Sequence, residues 1–126
     1  MKTRLLAALL VAACTSEPTG PIPGTLRVQL HDPNAGVDGA ILVTLTGPAA
    51  PTNIVAAPGD TVWGVPFTGT TNSLVVTGPL ANGVILSFDV PNLRAAQQYT
   101  ATVTQAAASS DYSLHAVGGY TLTVSP

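Results

Sequence analysis

Ala40-Ile41-Leu42-Val43-Thr44-Leu45-Thr46, closed by Gly47-Pro48, decides the fold class of this 126-residue chain. Ile41, Val43 and Leu45 recur at every second position, the period at which an extended strand returns side chains to one face, and Leu42, Thr44 and Thr46 fall on the other. Branched side chains suit a pleated surface better than a helix, and Gly-Pro cannot continue a hydrogen-bonded ladder. Residues 40–46 therefore read as a β-strand.

The same pattern spreads outward in both directions. Upstream, residues 25–30 put Leu26, Val28 and Leu30 on one face with Arg27 and Gln29 opposite. Downstream, residues 53–57, 61–67, 73–77, 84–90, 99–105 and 120–124 are short Val, Ile, Leu and Thr runs. Breakers such as Pro58-Gly59-Asp60, Gly78-Pro79 and Asn82-Gly83 bound them. Only residues 92–98 suit a short helix, with Asn92 as its cap. About eight strands with a turn every ten or so residues predict an all-β fold, an antiparallel β-sandwich.

The order of Gly39-Ala40-Ile41-Leu42-Val43-Thr44-Leu45, Ile54-Val55-Ala56, Gly83-Val84-Ile85-Leu86-Ser87-Phe88-Asp89-Val90 and Tyr120-Thr121-Leu122-Thr123-Val124 resembles the cohesin-type jelly roll. It also resembles short bacterial lipoproteins of that layout. The likeness spans residues 25–125 and implies a fold. The dockerin-binding contacts of cohesins have no match here residue by residue, so that activity does not come with it.

Ahead of the β body, Lys2 and Arg4 precede an apolar run from Leu5 to Ala13 that stops at Cys14, the one cysteine. Nine helical residues rise about 13 Å against a hydrocarbon core of roughly 30 Å, too short to span and the size of an export signal. Val11-Ala12-Ala13-Cys14 resembles the lipobox of bacterial lipoproteins. The resemblance implies cleavage before Cys14, a diacylglyceryl thioether on its sulfur and attachment to membrane lipid. Thr15, where lipoproteins kept at the inner membrane of some diderm bacteria carry aspartate, implies the outer membrane. An ordinary cleaved signal would instead leave Cys14 as a lone thiol in an oxidising compartment. Residues 15–24 hold three prolines and no apolar period, so they read as an extended spacer of about 30 Å. The expected organisation is a signal peptide over 1–13, an acylated cysteine and tether over 14–24, and a β-sandwich domain over 25–126.

Residues 14–126 carry Arg27 and Arg94 against Glu17, Asp32, Asp38, Asp60, Asp89 and Asp111, a formal charge of −4 with no lysine. Nothing there could neutralise a run of phosphates or hold an anionic bilayer, so nucleic-acid partners are excluded and lipid must anchor the protein.

Candidate sites are few. Asp32, Asn34 and Asp38 sit at alternate oxygen-bearing positions like the start of a calcium loop. An EF-hand would need a glutamate where Val43 stands, and Asp, Asn, Pro and Gly also make tight turns, so the turn is the preferred reading and calcium the minority one. Ser109, Asp111 and His115 lie close in sequence, but triads assemble from separate elements and no G-x-S-x-G elbow occurs. His31 and His115, the two histidines, are too few for zinc, and the scattered carboxylates nominate no glycosidase pair. No catalytic residue and no cofactor is expected.

Trp63, Val65 and Phe67 share one strand face, expected to be core; the alternative is an aromatic platform for sugar rings. Residues 40–46, 73–77 and 100–105 lack charge, and an unprotected edge strand would invite a partner or a second copy by strand addition. The expected function is a lipid-anchored binding or assembly module of the bacterial cell envelope without catalysis. A carbohydrate-binding surface domain is the alternative and a hydrolase the less favoured one.

Overall fold

The computed structural model describes residues 20–64 and 67–126. The export signal, Cys14 and Val65 lie outside the described residues. Among the described residues nine strands form two antiparallel sheets: β1 (Gly24–His31), β2 (Asp38–Thr46), β3 (Thr52–Ala56), β4 (Thr61–Trp63), β5 (Thr71–Thr77), β6 (Gly83–Val90), β7 (Thr100–Ala108), β8 (Leu114–His115) and β9 (Thr121–Ser125). One sheet has the order β3-β6-β1-β9, the other β4-β5-β2-β7-β8. Only the β4–β5 and β7–β8 connections stay within one sheet; every other connection crosses the sandwich. The fold is an all-β sandwich, as the strand pattern predicts.

The alternating strands supply the core between the sheets. Leu26, Val28 and Leu30 of β1 meet Ile41, Val43 and Leu45 of β2, Leu74 and Val76 of β5, and Phe88 and Val90 of β6, all almost wholly buried. Phe88 and Tyr99 pack with ring centroids 5.8 Å apart and tilted, an arrangement that suits aromatic quadrupoles. Full burial of each such side chain is worth about 1.5–3 kcal/mol, the main term holding together a domain whose described part has no cysteine.

Asn92 accepts from the N–H of Arg94 through Oδ1 and caps a 3-10 helix over Leu93–Gln98, as its sequence predicts. That helix also holds the incoming chain. Ile22 donates its N–H to Asn92 Oδ1 (3.3 Å) and accepts from the N–H of Leu93 (2.7 Å), while Arg94 Nε donates to the carbonyl of Gly20 (3.2 Å). The last residues read from sequence as tether are thus bonded to the domain through Gly20 and Ile22.

Three expectations on the strands change. Residues 40–46 are not an edge, since β2 pairs along its length with β5 and β7, and residues 75–77 of β5 also pair with β4; residues 100–105 of β7 pair with β2 alone, because β8 covers only Ala106 and Ala107. The lack of charge in residues 40–46 of β2 suits their enclosed position. The strand expected over 61–67 ends at Trp63, and a strand absent from the sequence reading, β8, pairs Leu114 with Ala107 and His115 with Ala106.

Candidate functional site: the outer face of the five-stranded sheet

Registers across the five-stranded sheet align two rows on its outer face. Trp63, Val75, Leu42 and Gln105 are successive partners along one row; Thr61, Thr77, Ala40, Ala107 and Leu114 form the next. No position in either row is charged. Trp63 is not core, as the aromatic stripe predicts, but 59% exposed. In β4 the inward residue is its neighbour Val62, which packs against the core, and alternation turns Trp63 outward. Phe67 does pack against the core, from beyond the end of the strand.

The indole is held in place. Trp63 Nε1 donates to Thr77 Oγ1 at 2.8 Å, a diagonal reach into the next row that tips the ring toward the end of the sandwich where β5 ends and β2 begins. There it lines a groove of about 520 Å³ whose other wall is Tyr112 and whose floor includes Gly39, Ala40 and Gly78. Such a volume falls in the ordinary range for small-ligand sites. Glycine is required at two of these positions. A Cβ on Gly39 would lie 2.8 Å from the Cα of Ser109, and Gly78 has φ +141° with a would-be Cβ 2.8 Å from the carbonyl of Gly59. The floor stays low because neither position can carry a side chain.

Tyr112 tips the hairpin between β7 and β8 and is 75% exposed. Its φ is +58°, a left-handed conformation that costs a non-glycine residue roughly 1–2 kcal/mol. The turn enforces it: Tyr112 N–H donates to Ala108 O, Ala108 N–H to Ser113 O, and Asp111 Oδ1 accepts from Ser113 N–H at 3.0 Å. That last bond, with the Ser113 side chain, holds the Asp111 carboxyl below its usual range.

Behind the groove lies a buried polar cluster that the sequence reading approached only as a turn or a calcium loop. Asp38, 1% exposed, accepts from the Tyr120 hydroxyl at 2.5 Å through Oδ2, and His115 Nε2 stands 3.1 Å from its Oδ1 without an aligned hydrogen bond. Asn34 Nδ2 donates to the Tyr120 oxygen at 2.9 Å. Asp32, 2% exposed, accepts from Asn34 N–H through Oδ1, and its own N–H donates to Asn82 Oδ1, both at 2.7 Å. Its Oδ2 has no partner among the described residues. Burial, with the Asp38 carboxyl beside it, pushes Asp32 up to about 6; burial likewise pushes Tyr120 up to about 12.

The cluster therefore gathers Asp32, Asn34 and Asp38 but spends most of their donor and acceptor atoms on one another, on Tyr120 and on the backbone. Among the described residues no three of His, Cys, Asp and Glu converge as metal ligands. Ser109, Asp111 and His115 are directed apart: Ser109 Oγ donates to Val37 O, Asp111 caps Ser113 and His115 faces Asp38. Tyr120 was legible only as a strand residue, since nothing local in sequence announces an aspartate 82 positions away as its partner.

No protein-family model, curated protein or solved structure matches this chain.

Proposed function

We propose that this protein is a lipid-anchored binding module of a bacterial cell envelope, and that the groove between Trp63 and Tyr112 takes a neutral sugar chain. The observation that carries the reading is Trp63: a large aromatic side chain left outward, fixed by its bond to Thr77, over a groove without a charged lining residue. Sugars present an apolar C–H face to an aromatic ring and hydroxyls to neutral polar groups, and they need no counter-charge. The strained backbone at Tyr112 supports the same reading, because strain of that kind clusters where a side chain must be presented.

Orientation supports it as well. β1 enters at Gly24, beside the 3-10 helix that holds residues 20–23, and runs to His31 at the end where Asp32, Asp38 and the groove floor lie. The groove and the incoming chain are at opposite ends of the sandwich. With lipid on Cys14, membrane at one end would leave the groove at the other, facing away from the bilayer. Thr15 favours the outer membrane as its location, and the strand order favours a cohesin-like layout of the sandwich. Assembly by strand addition has one opening, residues 100–105 of β7 that β8 leaves uncovered; the outermost strands β3, β4, β8 and β9 are only two to five residues long.

Titration of the detergent-solubilised full chain with neutral β-linked oligosaccharides, read by Trp63 fluorescence, tests the groove. Binding is expected to change the emission and to be lost in Trp63→Ala with the fold intact by circular dichroism. An unresponsive wild type would end the sugar reading. Intact mass and detergent partitioning of wild type against Cys14→Ser test the anchor independently.

A further inference from the structure

The groove does not stand alone on its face. A second depression, of about 150 Å³, adjoins it through the shared residue Ala40 and is walled by Leu42, Val75, Ala107 and Leu114. Its one polar side chain is Gln105, exposed on β7 in register with Leu42, whose carboxamide makes no hydrogen bond to another described residue. Leu114 is 68% exposed, a large apolar side chain left in water at the rim. A sugar hydroxyl would be poorly served in such a place. A methyl group would be well served, and a planar amide attached to it could exchange both its N–H and its carbonyl with the carboxamide of Gln105.

One common sugar substituent has that composition. We infer that the protein's ligand is a neutral glycan bearing N-acetyl groups, with a sugar ring stacked in the Trp63–Tyr112 groove and the acetamido methyl of a neighbouring unit seated among Leu42, Val75, Ala107 and Leu114. The inference rests on the sugar-binding reading above and adds the class of sugar. The absence of charge on both depressions fits an acetylated amino sugar and disfavours its de-acetylated, cationic form, which would surrender hydration for no partner. Discrimination comes from the second depression, since stacking on Trp63 is available to any pyranose.

The test compares, on the detergent-solubilised full chain, a β-1,4-linked N-acetylglucosamine tetramer with the glucose tetramer of the same linkage. A methyl group in a fitted apolar pocket is worth roughly tenfold or more, so the acetylated tetramer should bind at least about tenfold more tightly. Ala107→Leu, which fills the depression, should remove that preference and leave glucose-tetramer binding in place. Gln105→Leu should reduce it without touching the apolar walls, and serves if the first variant does not fold. Equal affinity for the two tetramers in wild type overturns the N-acetyl inference while the sugar reading survives. Failure of both tetramers to bind overturns the two together.

Discussion

Asp32 and Asp38 are two buried carboxylates in one cluster, and their ionisation has a measurable consequence. Burial, with Asp38 beside it, pushes the Asp32 carboxyl of the folded protein from its ordinary value of 3.8 up to about 6. Between those pH values the folded state holds a proton that the unfolded state has lost, so this group's contribution to stability is greatest below about pH 4. It falls as pH rises through 6 and is flat beyond. Asp32→Asn keeps an oxygen for Asn34 N–H and offers Asp38 a permanent donor. The melting temperature of the variant should therefore exceed that of wild type at pH 7, with the gap closing on acidification toward pH 4. A gap independent of pH would mean that Asp32 is not held above its ordinary range. Tyr112 makes a second prediction of opposite kind. Replacing it with Gly relieves the left-handed backbone, and stability should rise by up to roughly 1 kcal/mol. Oligosaccharide binding should weaken at the same time, because the groove loses a wall. Thermal unfolding and the fluorescence titration read the two effects on one sample.

At the scale of elements, the 3-10 helix does more than connect β6 to β7. Asn92 Oδ1 accepts from both Arg94 N–H and Ile22 N–H, so one side chain caps a helix and clamps the chain that enters the domain. Asn92→Ala should cost about 1 kcal/mol and expose residues 20–23 to proteases while β1 stays folded; limited proteolysis followed by mass determination locates the new cut. The helix and its cap were legible because capping is local chemistry. So were the faces of β1 and β2, whose alternation is uninterrupted. β8 was not: two residues carry no period, and Leu114-His115 becomes a strand only because β7 continues past residue 105 and offers it a partner. Trp63 failed for a related reason. The inward residue of a three-residue strand is decided by which neighbour the core accepts, here Val62, and aromatic bulk pointed the other way.

Across the whole molecule, composition foretold the sandwich because most of its strands are long enough to alternate and are separated by glycine and proline. What sequence could not convey is which strands lie side by side. β2 touches β5 and β7, while its sequence neighbours β1 and β3 belong to the opposite sheet. The candidate site is a product of that rearrangement: Trp63, Ala40, Gln105 and Tyr112 come from β4, β2, β7 and the β7–β8 hairpin, and no window of sequence holds them together. The same holds for the polar cluster, where residues 32 to 38 meet residues 115 and 120. The charge-free stretch 40–46 looked like a vulnerable edge in one dimension and proves to be the enclosed centre of a sheet in three, whereas residues 100–105 keep one side unpaired.

The bonds that fasten residues 20–23 to the helix set a limit on altitude. From Cys14 to Gly20 the chain advances six residues, at most about 20 Å even when fully stretched. The four steps from Gly20 to Gly24 add at most about 13 Å more, and β1 roughly 26 Å from there to the groove. A protein moored by lipid at Cys14 would then survey a shell no more than about 60 Å deep above its own membrane. It could inspect what lies close against that surface, and anything farther out would pass overhead.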